Sequence, residues 1–238
     1  MKFRMRYLVI LLLAVSTLRA KMVIMPAEIG VSCQKRKPFT ATARTTLSRV
    51  FASGNQRTVT VEDHIARDAD GRVMREQHLP WTEDPAQPVY YINILDPKSM
   101  QRIHIDPQNR TVVTKAVDRG HAWDYVPYDG SQYRIATKPG VTVHTEMLKN
   151  QEINGLKCWG QRTTYLYQPG TLHGNQQPLT RTWEVWYAKE LGADVRIVEH
   201  NPDAEAGDQQ TDLADIKYGE PDPAMFAAPA GYEQAGRP

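Results

Sequence analysis

The hydrophobic pattern of this chain follows the two-residue period of β-strands. Between residues 180 and 188, Trp183, Val185 and Tyr187 occupy every second position, which predicts a strand with one buried face. Turn residues separate this strand from ten further extended segments. The predicted strands cover residues 39–50, 58–67, 72–79, 89–95, 99–105, 111–117, 141–148, 156–167, 178–188, 195–201 and 209–217. Strands at this spacing favour an antiparallel sheet or partial barrel.

Three segments depart from this rhythm. Residues 119–140 are rich in aromatic side chains and have no clear period, so we expect either a lid over a cavity or a plain aromatic cover of the sheet. Residues 149–151 are predicted to turn into the C-terminal half. Asp222 and Pro223 predict a short capped helical turn near the end of the fold, and residues 233–238 a frayed tail.

The N-terminus has the pattern of a secretory signal peptide. Three basic residues precede a short apolar run that is too short to span a bilayer as a helix, for which about 20 residues are needed. We therefore predict a signal peptide over residues 1–27, cleaved after Ala20 or Ala27, and a periplasmic or secreted mature protein without a transmembrane span. A lead over residues 28–37 and a single β-rich domain over residues 38–232 follow.

Removal of this segment reverses the sign of the charge. The whole chain has 29 basic and 27 acidic residues, a formal net charge of +2. Residues 1–27 contain five basic residues and no acid, so the mature chain has 24 basic and 27 acidic residues. No basic stripe remains, and the electrostatic signature of nucleic-acid binding is missing. Outside the cytosol, Cys33 and Cys158 are able to form a disulfide; the alternative is two separate thiols.

No catalytic, metal or cofactor motif stands out in the sequence. The seven histidines include no pair at helical zinc-site spacing, the glycines form no phosphate loop, and no nucleophile motif is present. Cys158 has no evident base partner, and Glu184 is expected on the polar face of its strand. We predict no catalytic residue, no metal ligand and no cofactor, and thus a protein that is not an enzyme.

Several motifs resemble those of a known group. The runs RDADGRVMRE, INILDPKSMQRIHIDP, INGLKCWGQRTTYLYQPG and EPDPAMFAAPAGY are similar to those of exported, uncharacterised bacterial proteins that are frequent in acidobacteria. More remotely, the order of hairpins resembles the LolA/LolB-like periplasmic lipoprotein-carrier superfamily. The resemblance implies a mainly β fold, a curved antiparallel sheet or open half-barrel with few short helices around an apolar cavity.

Two functional hypotheses follow from these observations. The first is a non-enzymatic periplasmic protein that binds a lipid or acyl chain in the concave face of the sheet. On strand alternation alone the lining residues would be Tyr91, Ile103, Trp123, Trp183 and Tyr187; the alternative for each is ordinary core packing. The second is an envelope interaction or sensor module that engages another protein through an exposed loop or strand edge.

Overall fold

The fold is one open, curved sheet, as the sequence predicts. A computed structural model describes residues 26–50, 54–78, 91–117, 139–172, 174–203 and 207–235. Its strands are β1 Phe39–Val50, β2 Gln56–Arg67, β3 Val73–Gln77, β4 Tyr91–Asp96, β5 Gln101–Asp106, β6 Thr111–Ala116, β7 Val141–Ile153, β8 Leu156–Tyr167, β9 Leu179–Ala188, β10 Ala193–His200, β11 Asp208–Tyr218 and β12 Glu233–Gln234. The one helix in these residues is the 3₁₀ turn Pro223–Phe226.

All twelve strands belong to one sheet in the order β12-β6-β5-β4-β3-β2-β1-β11-β10-β9-β8-β7. Neighbours pair antiparallel, except that β12 runs parallel to β6. The chain therefore builds two meanders, β1 to β6 and β7 to β11, and the pairing of β1 with β11 joins them. The strands β6 and β7 lie near opposite edges, and the connection between them falls mostly outside the described residues.

The register assigns the side chains to two faces. Phe39, Ala41 and Ala43 share one face with Ile65 on β2 and Leu213 on β11. We call this the front face, and the opposite one the back face. Residues 26–38, the N-terminal segment, lie against the front face. Within this segment Ala27 bonds to β11 while the next residue bonds to β3, which is three strands away in the sheet order.

Three strand spacings amount to roughly 14 Å, whereas consecutive Cα atoms are about 3.8 Å apart. The neighbouring carbonyl groups of Ile29 and Gly30 bond to Arg75 on β3 and to the backbone of Asp194 on β10, which lie four strands apart, or roughly 19 Å in a flat sheet, so the sheet curves around this segment. The front face is therefore the concave face, and the N-terminal segment lies inside the curve. Together they form the larger hydrophobic core, in which Ile29, Phe39, Ile65 and Leu213 are almost fully buried.

A smaller core lies on the back face of β3 to β6. Met74, Ile94, Ile105 and Val112 pack there against Phe226 of the 3₁₀ turn. Asp222 Oδ1 accepts a hydrogen bond from Ala224 N at 2.9 Å, which confirms the predicted cap. Each terminal part of the chain thus covers a different face of the sheet.

Two local predictions were wrong. Residues 149–151 continue β7 through a bulge, and the chain turns at Asn154-Gly155, where both residues have positive φ (51° and 76°). An Asn-Gly pair in this conformation matches the twist of a hairpin, so it determines where the strand ends. Glu233 and Gln234, which the sequence assigns to a frayed tail, pair with Thr111 and Val112 of β6.

Candidate functional site

The centre of the front face is a dry core. Ile29 of the N-terminal segment is 1% exposed and belongs to the same cluster as Ala41, Ala43, Val195 and Ile197. Small side chains on β1 leave space for the segment to approach the sheet closely, and their low exposure shows that the space is filled. An apolar ligand has no room in this part of the concave face.

Arg67 on β2 fastens the segment to the sheet. Its Nη2 donates to Lys37 O at 2.9 Å and its Nη1 to Ser32 O at 3.4 Å, while the guanidinium lies 4.9 Å from the centre of the Phe39 ring. Burial, with a smaller contribution from the neighbouring Arg36, lowers the pKa of Arg67 to about 10. This fully buried cation holds residues 32–37 in place.

The front face of β7 to β9 differs sharply from the centre. Met147 is 65% exposed and Trp159 is 42% exposed, although both are large apolar side chains. The register places them on the front face next to Gln161, and the Trp159 ring lies 6.3 Å from that of Tyr187. We call six of the apolar and aromatic front-face side chains of these strands the aromatic patch: Val143, Met147, Trp159, Tyr165, Trp183 and Tyr187.

Polar groups lie within and beside this patch. Thr163 and Gln161 are buried, and Gln161 Nε2 finds no hydrogen-bond partner among the described residues. Arg181 Nη2 bonds to the buried carboxylate of Glu199 at 2.5 Å, and its guanidinium lies 5.8 Å from the centre of the Tyr165 ring. The patch is therefore apolar in its exposed groups and polar at one end, which is the composition of a site for an amphiphilic molecule.

A crevice opens at the opposite side of the N-terminal segment, over β3 to β5. Its volume is about 210 Å³, and it is lined by Glu28, Val31, Val73, Arg75, Gln77, Asn93, Ile94, Leu95 and Arg102. A hydrogen-bond chain runs along one wall: His104 Nδ1 to Asn93 Oδ1 (3.0 Å), Asn93 Nδ2 to Gln77 Oε1 (3.1 Å), and Gln77 Nε2 to Glu28 Oε1 (2.8 Å). Arg75 Nη1 completes it at Glu28 Oε2 (2.8 Å).

The structure separates the residues that strand alternation grouped together. Trp183 and Tyr187 lie on the front face in the aromatic patch, Trp183 half-buried and Tyr187 buried. Tyr91 is on the same face but six strands away, roughly 29 Å along the sheet, with its ring 5.2 Å from that of His104. Ile103 lies on the back face in the smaller core. Trp123 falls outside the described residues.

Both cysteines are buried free thiols in the structure. Cys158 Sγ donates to Leu156 O at 3.1 Å, and burial raises the pKa of this thiol. A raised pKa lowers the thiolate fraction and makes Cys158 a poor nucleophile. The pairing of Cys33 with Cys158 in the mature protein stays a prediction.

Sequence reasoning missed several residues of the aromatic patch and of the crevice. Met147 and Trp159 stand at alternating positions within strands, a signal that predicts a face but not whether the face is covered. Glu28 lies 47 residues before Arg75 and 49 before Gln77, and no local pattern links it to them. The described part of the chain contains no cluster of three or more His, Cys, Asp or Glu side chains suited to a metal ion. Nor does any helix in it have the length and apolarity to cross a bilayer.

Comparison with known proteins gives similarity at the level of structure alone. No protein-family model matches the sequence, and no curated protein is similar to it. An uncharacterized conserved protein from Thermus thermophilus matches at 8% identity over 86% of this chain and 93% of that chain, with a TM-score of 0.44. A LolA superfamily protein from Nitrosomonas europaea matches at 9% identity over 82% and 94%, with a TM-score of 0.34.

The MucA/MucB complex of Pseudomonas aeruginosa matches at 13% identity over 83% of this chain, with a TM-score of 0.37. This chain spans only 58% of the matched chain in that complex. A LolA superfamily protein is thus among the solved structures to which this chain is similar, the same superfamily that the sequence motifs resemble. The likeness concerns the fold, and function has to be argued from the residues of this chain.

Proposed function

We propose that the protein is a non-enzymatic binding module that holds an acyl chain against the aromatic patch of its concave face. One observation carries the proposal: Met147 and Trp159 are exposed on the face whose centre is otherwise a closed core. Soluble proteins rarely leave neighbouring large apolar side chains in water without a partner. Among the described residues, Lys189 Nζ lies 5.7 Å from the centre of the Trp159 ring, and both side chains still remain exposed.

An acyl chain fits this surface by size and chemistry. The burial of one CH₂ group is worth about 0.8 kcal/mol, so ten such groups offer at most about 8 kcal/mol before the costs of association. Flat aromatic rings in a row bind a linear chain without demanding a fixed register. The polar end of the patch, with Arg181 beside Tyr165, suits the more polar end of such a ligand.

The test is a fluorescence titration of the purified full chain with 1-N-phenylnaphthylamine, followed by displacement with lauric acid. We expect saturable binding by the wild type and its loss in Met147→Glu, because a carboxylate in the patch costs several kcal/mol to desolvate. The matched control is Val50→Glu, which introduces the same charge at an apolar side chain that is 50% exposed on another strand. Equal binding by both variants, or none by the wild type, contradicts the proposal.

We also propose that the protein acts in the bacterial envelope after cleavage following Ala20. The support is that Ala27 N donates to Gln209 Oε1 at 2.9 Å, while Ala27 O accepts from Thr211 Oγ1 at 3.3 Å. Cleavage after Ala27 would remove both bonds. A native mass spectrum of protein purified from the periplasm of the producing cell measures the mature mass, and a mature chain beginning at Glu28 contradicts this site.

A second candidate function is capture of a partner protein by strand addition at β7. This strand of 13 residues is last in the sheet order, and its outer edge has no partner strand among the described residues. At the other edge, β12 already covers part of β6. A long uncovered edge is the kind of surface that binds an extended segment.

Hydrogen–deuterium exchange discriminates the two candidates. Strand addition predicts that an envelope extract slows exchange of the β7 amides, while lauric acid has no effect on them. The acyl-chain proposal predicts protection by lauric acid at the patch residues of β8 and β9. Unchanged exchange throughout β7 in the extract would exclude strand addition there.

A further inference from the structure

We propose that the crevice between the N-terminal segment and β3 to β5 binds a small organic carboxylate, with Arg102 as its cationic contact. This site is separate from the aromatic patch and does not depend on the acyl-chain proposal. It lies on the other side of the N-terminal segment, and its lining residues come from different strands.

The crevice already holds one carboxylate of the chain itself. Glu28 lies between Arg75 Nη1 and Gln77 Nε2, each 2.8 Å from a different carboxylate oxygen. Arg75 also donates through Nη2 to Ile29 O. These bonds neutralise Glu28, because they give each of its oxygens a donor and pair its charge with Arg75. The wall of the crevice therefore does not repel a second anion.

Among the described residues, Arg102 has no counter-charge. It is directly opposite Lys115 in the pairing of β5 with β6, and neither side chain forms an ion pair with any described residue. Like charges directly opposite each other destabilise a sheet. A bound anion removes that repulsion, and a guanidinium donates two parallel hydrogen bonds to a carboxylate.

The other residues that line the crevice, together with its volume, determine which kind of carboxylic acid fits. Val31, Val73 and Leu95 give the crevice an apolar side opposite the amides of Gln77 and Asn93. A volume of about 210 Å³ is smaller than the roughly 300 Å³ at which sites for drug-sized ligands begin. The geometry therefore fits a carboxylate attached to a compact apolar body and leaves too little room for a fatty acid.

Isothermal titration of the purified full chain with benzoate at low ionic strength tests the site. We expect one binding event in the wild type that weakens about tenfold or more in Arg102→Gln, because a charge-assisted hydrogen bond is lost. Lys157→Gln is the matched control: it removes one exposed cation from β8 and should stay within about twofold of the wild type. Benzamide, the uncharged counterpart, should bind at least about tenfold more weakly than benzoate.

Three results overturn the inference: no benzoate binding by the wild type, equal binding by Arg102→Gln, or equal binding of benzamide. Because Arg102 is exposed and lies opposite Lys115, its replacement should not lower the midpoint of thermal unfolding, and that midpoint serves as the folding control. Dye binding at the aromatic patch should be the same in Arg102→Gln and in the wild type. If Arg102→Gln loses both benzoate binding and dye binding, the variant is misfolded. The test is then repeated with Arg102→Lys, which keeps the positive charge but cannot donate two parallel hydrogen bonds to a carboxylate.

Discussion

The concave face has two regions of opposite chemistry on the same side of one sheet. At its centre, Ala41, Ala43 and Leu213 are sealed by the N-terminal segment, with Ile29 inside. On β7 to β9, Met147 and Trp159 remain exposed although they are larger and more apolar than the alanines. The difference shows that residue type alone does not make a core. A segment must also arrive to cover it, and the described chain supplies one only at the centre.

The largest expected effect comes from truncating one large apolar side chain in each region and comparing the two losses of stability. Ile29→Ala removes a fully buried side chain from the centre and should lower the free energy of unfolding by about 3 kcal/mol. Met147→Ala, its counterpart in the aromatic patch, should cost less than about 0.5 kcal/mol. Urea unfolding followed by tryptophan fluorescence measures both. Equal losses of unfolding free energy in the two variants would mean that Met147 is as completely buried as Ile29.

The next effect concerns the packing of β8 against β9 on the back face, behind the aromatic patch. A Cβ at Gly160 would lie 2.4 Å from Cζ3 of the Trp186 ring, so Gly160→Ala should cost about 2 kcal/mol through overpacking. In the double variant with Trp186→Leu the ring is gone, and the added methyl group should cost less. A double-mutant cycle measures this coupling, and additive losses would contradict the close contact of the glycine with the ring.

A smaller effect should appear as a dependence of stability on pH. The hydrogen bond to Asp63, whose Oδ1 is 3.3 Å from His78 Nδ1, raises the pKa of His78. Because the folded pKa lies above the unfolded value of about 6.5, the contribution is fully present below pH 6.5 and is lost as pH rises through the folded pKa. It should stay under about 1 kcal/mol, since the ring is partly exposed. His78→Gln should remove this slope from urea unfolding measured between about pH 5.5 and pH 8.5, and an unchanged slope would assign it to another group.

The smallest expected signal is thiol reactivity in the native protein. Cys33 and Cys158 are buried, and the raised pKa of Cys158 disfavours its thiolate. Ellman's reagent should therefore label neither cysteine before unfolding and both after unfolding without reductant. Labelling of neither thiol in the unfolded protein would show that a disulfide joins them in the purified material.

The extent of the strands was largely predictable from the sequence. The range Leu156–Tyr167 is predicted and observed with the same bounds, and most other strands differ by one to three residues. The 3₁₀ turn after Asp222 was equally readable, because a cap and a proline act within four residues. The end of β7 was not, since the Asn-Gly turn competes with an earlier polar run of similar appearance.

The candidate sites were much less predictable. Tyr91 and Trp183 have similar local patterns, yet the sheet order places them six strands apart. Ile103 has a strand pattern as clear as theirs, and only the register assigns it to the back face. Alternation tells which residues share a side of one strand, but it says nothing about which strands become neighbours.

The sequence by itself determined the β class, the strand positions and the local caps, because period, turn chemistry and capping act over a few residues. The tertiary structure alone decided which face is concave, that the N-terminal segment closes its centre, and that Glu28 meets Arg75 and Gln77 across about 47 residues. Those contacts depend on the sheet order and its curvature. They arise from long-range packing, for which the chain carries no local signal.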